Sequence, residues 1–132
     1  RLGAGEWTIR QIIHHLADDG DFYSFTVKRA LVTPGCKITF GGFPGNEVWS
    51  DELKNETRTI RADLDLIIAH RVAIAELISV FPERLDYTVT FIGDKGKEAK
   101  MSVWQIIQIL SDHMTEHLTT IKKIKATHNI RR

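Results

Sequence analysis

Three long stretches of the chain repeat hydrophobic residues at intervals of three and four positions, the pattern of an amphipathic helix. They cover residues 8–32, 55–80 and 102–127. The first and third begin at Thr8 and Ser102, and each of these residues is followed three positions later by glutamine, which is a capping-box pattern. The pattern therefore predicts three long α-helices.

The two connectors predict much less regular structure. Residues 33–52 are rich in glycine and proline, so we expect a loop with one short extended piece at residues 37–40. Residues 87–92 alternate as a strand would, and a turn follows at residues 93–96. Gly20 lies in the middle of the first helix at a cost of about 1 kcal/mol against alanine, either to relieve crowding beside a site or because the helix tolerates it.

Composition narrows the possible partners and location. Residues 1–132 are of a length for one domain, and 18 basic and 17 acidic residues give a net charge of +1. We therefore expect no nucleic-acid partner, and no apolar run reaches the roughly 18 residues that span a membrane. The lone Cys36 excludes an internal disulfide, and the first residues do not resemble a signal peptide. These features predict a soluble cytoplasmic protein.

Histidines carry the most specific chemical signal in the chain. His113 and His117 are four residues apart on the apolar stripe of the third helix, so both imidazoles share one face. A buried imidazole without a partner costs roughly 1–3 kcal/mol, and a divalent metal would be such a partner. The alternative is a pair of hydrogen-bonded core histidines. We interpret His14, His70 and His128 as surface residues.

The first and third helices also resemble each other. Residues 8–18 and 102–112 share the cap, the sequence Gln-Ile-Ile, a leucine, a small residue and an aspartate at the same offsets. Either this is a chance similarity of two amphipathic helices, or the two helices pack with pseudo-twofold symmetry around a site.

These two segments carry a resemblance to the DinB-like superfamily of metal-binding four-helix bundles. Residues 5–18 resemble its first signature, a Trp-Thr start followed by His-Leu-Ala-Asp, and residues 113–121 resemble its second, His-x-x-x-His followed by isoleucine. The resemblance implies an all-α, up-and-down bundle and a metal triad of His15, His113 and His117. Helical geometry agrees with the choice of His15, which sits on the flank of the apolar face. Because family members carry a further helix before the Trp-Thr start, we expect a fourth, N-terminal helix to be missing here.

The triad implied by the resemblance would suit zinc or nickel and leave a position for a small-molecule substrate. The resemblance implies a metal-dependent enzyme, most simply a transferase of a low-molecular-weight thiol, although the superfamily also contains an isomerase and hydrolases. The alternative is a non-catalytic metal- or ligand-binding module with a stress-response or structural role. Arg71 interrupts the apolar seam of the second helix and is a candidate substrate anchor. Trp49 could cover the pocket. A missing helix would favour a homodimer. The candidate hydrogen-bond partners for the histidine rings are Asp18, Asp19, Asp112 and Glu116.

Overall fold

Four α-helices and a small sheet form the fold in the computed structural model, which describes residues 5–128 apart from the side chain of Asp94. The helices are α1 (Ile9–Val32), α2 (Asn46–Glu52), α3 (Arg61–Val80) and α4 (Val103–Thr127). The strands are β1 (Lys37–Thr39), β2 (Thr88–Ile92) and β3 (Glu98–Ser102), with single 3-10 turns at Pro82–Arg84 and Asp94–Gly96.

Helix α1 is the centre of the molecule, because α3 and α4 both pack against it. Its N-terminus has the predicted capping box, in which the Thr8 hydroxyl accepts from the Gln11 amide and the Gln11 side chain accepts from the Thr8 amide. Ser102 and Gln105 make the same reciprocal pair at the start of α4. Both caps satisfy amides that have no partner within the helix, so these two boundaries agree with the prediction.

The second predicted helix begins later than its hydrophobic pattern indicates. Helix α3 starts at Arg61 rather than near Asn55. The residues before it form turns that are held by hydrogen bonds from the Arg58 side chain. The Arg58 guanidinium donates to the Leu53 carbonyl and to Asn55 Oδ1. Such local side-chain hydrogen bonds stabilise turns in competition with a helix.

A small mixed sheet corrects the all-α prediction. Strand β2 lies in the centre, parallel to β1 and antiparallel to β3, with Val89 opposite Met101. The extended piece after residue 36 and the strand near residue 88 were both predicted, whereas β3 was not. Its sequence, Glu-Ala-Lys-Met-Ser, contains only two apolar residues, and most of the strand is exposed, so the pattern is too short and too polar to indicate a strand.

The prediction of a missing fourth helix is not supported. The described residues already contain a fourth helix, α2, within the segment that the sequence predicted as a loop. Its seven residues are too few to show a helical hydrophobic period, which explains why the pattern did not reveal it.

The core lies in two clusters along α1. Near the sheet, Val27 and Leu31 pack with Val89 of β2 and Ile106 of α4. Towards the other end of α1, Ile12 and Leu16 pack with Ile124. Within residues 5–128, no helix combines the length and the apolar character that crossing a bilayer requires.

Candidate metal centre

Helices α1 and α4 bring three histidines together. The rings of His15 on α1 and His117 on α4 have centroids 5.0 Å apart. His113 lies one turn before His117, with ring centroids 6.0 Å apart. The site is therefore between the two helices that resemble each other in sequence.

Asp19 lies at the point where these histidines converge. It follows His15 by one turn of α1, and its Oδ2 atom is 3.1 Å from His15 Nε2. The same oxygen is 3.6 Å from His113 Nδ1. One donor atom from each of His15, Asp19 and His117 lies within 4.8 Å of the other two.

This arrangement fits a divalent metal ion. Ligands about 2.1 Å from a tetrahedral ion are about 3.4 Å apart, so a small contraction of the cluster would bring its donors into range. Asp19 Oδ2 and His113 Nδ1 are both buried without a hydrogen-bond partner in the described part of the chain. Buried polar atoms of this kind are costly unless a ligand pairs with them. Nitrogen and carboxylate donors together suit zinc and similar borderline ions.

The three histidines of the predicted triad thus surround one carboxylate. The compact donor cluster contains His15 and His117, while His113 approaches Asp19 from the side. The coordination of a metal by all three histidines stays a prediction. From the sequence, Asp19 was predicted only as a hydrogen-bond partner of the histidine rings. Its spacing of four residues from His15 is nevertheless the same as the spacing between His113 and His117.

Burial alters the protonation of groups around the centre. It lowers the pKa of His117, and the neighbouring His15 lowers it further. A lowered pKa favours the neutral imidazole, which is the form that binds a metal. Burial raises the pKa of Asp18, against the effect of the hydrogen bond from Trp49. Burial, together with the Asp19 carboxylate, raises the pKa of Tyr23.

A cavity of about 480 Å³ opens beside the centre, with His15, Asp19 and His113 in its lining. The ring of Trp7 packs edge-on against His15, with centroids 5.1 Å apart, and limits the rotation of that imidazole. Trp7 and His117 also line a neighbouring depression of about 360 Å³. The histidine cluster therefore has a space for a small molecule next to it.

Two tryptophans attach α2 to the edge of the cavity. Trp49 Nε1 donates to Asp18 Oδ2 at 3.0 Å, and Trp7 Nε1 donates to Glu47 Oε2 at 3.4 Å. Trp49 was predicted to cover the pocket from a loop; it lines the cavity from α2. The sequence did not reveal Phe22, Phe40 and Phe43 as lining residues, because Phe22 lies on α1 and the other two lie in the connector between β1 and α2.

Several other predicted residues lie outside this cluster. Arg71 is exposed and lines a different groove between α1, α3 and α4, so its role as an anchor stays a prediction. Asp112 and Glu116 are exposed, and Asp112 accepts a hydrogen bond from Gln108. His128 is exposed, as predicted.

The predictions for His14 and His70 are wrong. His14 is fully buried, with Nδ1 2.5 Å from Asp63 Oδ2 and Nε2 3.1 Å from the Arg58 carbonyl oxygen. It is buried because α1 packs on two sides, so the flank opposite the metal centre faces α3. The side chain of His70 is only 15% exposed and lies 2.9 Å from Asp21.

A central helix with neighbours on two sides and a histidine–carboxylate cluster beside a cavity define a helical-bundle protein with a candidate metal centre. The model of the DinB superfamily matches residues 1–121, and the chain belongs to that family. This confirms the family resemblance seen in the two histidine segments.

The fold is also similar to that of a solved structure, YfiT from Bacillus subtilis, described as a probable metal-dependent hydrolase with an unusual four-helix bundle topology. The sequences are 20% identical, the TM-score is 0.80, and the match covers 98% of this chain and 71% of that chain. No curated protein matches the sequence.

Proposed function

We propose that the protein is a metal-dependent enzyme acting on a small molecule, and that hydrolysis is the reaction its site supports best. The observation that carries the proposal is the cluster of His15, Asp19 and His117 donor atoms within 4.8 Å of one another. The cluster adjoins a cavity of about 480 Å³ that would hold a substrate.

His15, Asp19 and His117 would hold the metal, with His113 either as a further ligand or as the group that orients the Asp19 carboxylate. A bound zinc or nickel ion would supply a Lewis acid and lower the pKa of a water molecule to about 7. Trp7 fixes the ring of His15 from one side. Trp49, by donating to Asp18, holds α2 at the edge of the cavity.

The charge of the cavity favours water over an anionic thiol as the nucleophile. Two carboxylates, Asp18 and Asp19, line it, and the described lining residues include no lysine or arginine. Arg71, the anchor that the sequence suggested, lines another groove. A thiol cosubstrate bearing carboxylates would therefore find no lysine or arginine to pair with in the described lining. The description of YfiT as a probable hydrolase also supports this choice.

Thiol transfer, which the sequence resemblance suggested, remains the competing reaction. If the protein is not an enzyme, the alternative is a non-catalytic metal- or ligand-binding module. A cytoplasmic location and a homodimer stay predictions from the sequence. Sedimentation of the purified chain would test the dimer.

Metal content tests the proposal first. Protein purified without chelators or a histidine tag is expected to carry about one transition-metal ion per chain by plasma mass spectrometry. The variant His117→Ala should lose the ion, whereas His128→Ala, at an exposed histidine beyond the end of the same helix, should keep it. Metal-free wild-type protein that cannot be loaded with zinc or nickel would contradict the proposal.

Two assays on the metal-loaded protein then separate the reactions. Hydrolysis of nitrophenyl acetate without added thiol, abolished by His117→Ala, would support hydrolysis. Conjugation of glutathione to a chlorodinitrobenzene without ester hydrolysis would overturn hydrolysis in favour of thiol transfer. A bound metal with neither activity, on these and a wider set of substrates, would favour the binding module.

A further inference from the structure

Part of the cavity wall is aromatic. Phe22 of α1 and Phe40, just beyond β1, stack with ring centroids 5.2 Å apart and an interplanar angle of 29°. Phe43 and Trp49 pack at 5.6 Å with their planes tilted by 53°. All four line the cavity. Aromatic rings pack favourably against one another in stacked and edge-to-face arrangements, so such a wall suits a bound ring.

Three of these aromatic residues are incompletely buried although they contact other rings. Phe40, Phe43 and Trp49 are 44%, 45% and 40% exposed. Burying apolar surface is favourable by roughly 25 cal/mol per Å². An apolar ligand that filled the cavity would therefore bury aromatic surface that is exposed to solvent in the folded protein.

Ser50 adds a polar group to this aromatic wall. The residue is only 3% exposed, and it lines the cavity. Its Oγ is buried and has no hydrogen-bond partner among the described residues. A buried hydroxyl left unpaired is costly, and a polar group on a ligand could satisfy it.

The charges of the cavity limit which ligand it accepts. Asp18 and Asp19 are the charged side chains of the described lining, apart from any charge on the histidines. Both carboxylates would repel an anion in the cavity, where partial exclusion of water strengthens interactions between charges. Without a bound metal, the charge of the lining therefore disfavours a carboxylate or a phosphate as the ligand.

From these observations we propose that the cavity binds an uncharged aromatic compound bearing a hydroxyl or carbonyl group. The ring lies among Phe22, Phe40, Phe43 and Trp49, and the polar substituent bonds with the hydroxyl of Ser50. As the substrate class of a hydrolase this inference rests on the proposed function, but binding of the ring needs only the aromatic wall and Ser50.

Ligand binding to the chain of residues 1–132 tests the inference with four probes. Isothermal titration calorimetry would compare para-cresol, methylcyclohexanol, toluene and benzoate, first with chelator present and then with zinc. Para-cresol is expected to bind about tenfold more tightly than methylcyclohexanol, because only its ring can stack. With chelator present, benzoate should bind more weakly than para-cresol, because Asp18 and Asp19 repel its carboxylate. In Phe43→Leu, the preference for cresol over methylcyclohexanol should fall at least threefold.

A matched pair of serine variants isolates the hydroxyl. Ser50→Ala should weaken para-cresol about tenfold and leave toluene unchanged, since only cresol can bond with Oγ. Ser24 is the control, because its hydroxyl is also buried without a hydrogen-bond partner among the described residues but does not line this cavity. Ser24→Ala should leave both affinities unchanged.

The outcomes distinguish this inference from the proposed enzyme. Equal affinities for cresol and methylcyclohexanol, or an unchanged cresol affinity in Ser50→Ala, would overturn the inference even if zinc binds. Selective cresol binding in a protein that cannot take up zinc would support the inference and contradict the metal-dependent function.

Discussion

Asp19 is the residue on which the chemistry of this site depends most. Its Oδ2 atom lies within 3.6 Å of a nitrogen of both His15 and His113, yet it makes no hydrogen bond with a described residue. A carboxylate in this position can bind a metal directly or orient the imidazoles that do. Either role makes metal affinity sensitive to its charge.

Replacing Asp19 with asparagine should therefore lower zinc affinity at least tenfold, measured by calorimetric titration. Asp112→Asn is the matched control, because Asp112 is exposed and accepts a hydrogen bond from Gln108. Its zinc affinity should stay within about twofold of the wild type, as expected for a surface charge screened by solvent. Equal affinities in the two variants would remove Asp19 from the site.

Gly20 shows why a helix can require glycine in its interior. A Cβ atom built at this position would lie 2.2 Å from Nδ1 of His70, far inside van der Waals contact. Of the two explanations open from the sequence, the structure supports the relief of crowding, although the crowding comes from His70 and not from the metal centre.

The variant Gly20→Ala should therefore destabilise the protein by about 1–3 kcal/mol in urea unfolding, despite the better helix propensity of alanine. In a His70→Ala background the same change should stabilise it by up to about 1 kcal/mol, because the clash is gone and the propensity remains. The double-mutant cycle measures this coupling. An additive cycle would show that the contact with His70 is not the cause.

At the scale of elements, a buried polar network ties α1 to the start of α3. His14 meets Asp63 through one ring nitrogen and the Arg58 carbonyl through the other. Arg10 donates to the same carbonyl at 2.7 Å. The network links the two helices across residues that are far apart in the chain, so it fixes how α3 begins.

The variant His14→Ala removes the imidazole and leaves Asp63 without its buried partner. It should lower the free energy of unfolding by about 2–4 kcal/mol. Arg61→Ala is the control within the same turn of α3, since Arg61 and Asp65 form an exposed pair. That change should stay within about 0.5 kcal/mol. Urea denaturation at neutral pH measures both, and similar effects would contradict the structural role of His14.

At the scale of the whole molecule, His117 makes the stability of the metal-free protein depend on pH. The pKa of His117 is lowered in the folded state from its ordinary value of 6.5. Between these two pKa values the unfolded chain binds more protons than the folded one, so stability rises with pH in that interval. Acidification below 6.5 therefore removes stability until the pH falls below the lowered pKa.

The variant His117→Gln should reduce this loss, because glutamine does not titrate. Thermal unfolding of wild type and variant in chelator, from about pH 7.5 to 5, measures the difference. Their melting temperatures should differ in slope below pH 6.5, with the wild type falling more steeply. Parallel curves would show that His117 makes no contribution.

The sequence by itself determined the features that depend on neighbours within about four residues. The capping boxes at Thr8 and Ser102, the three long helices and the shared face of His113 and His117 follow from helical period and local hydrogen bonds. The family also followed from sequence, since its two signatures are local patterns on these helices.

Only the tertiary structure decided what depends on contacts between distant segments. The burial of His14 depends on where α3 packs, the need for Gly20 depends on His70, and β3 exists because β2 lies beside it. The convergence of Asp19 with histidines of α4 has the same origin. Periodicity says which face of a helix is buried, but the packing of one helix against another decides which side chains meet there.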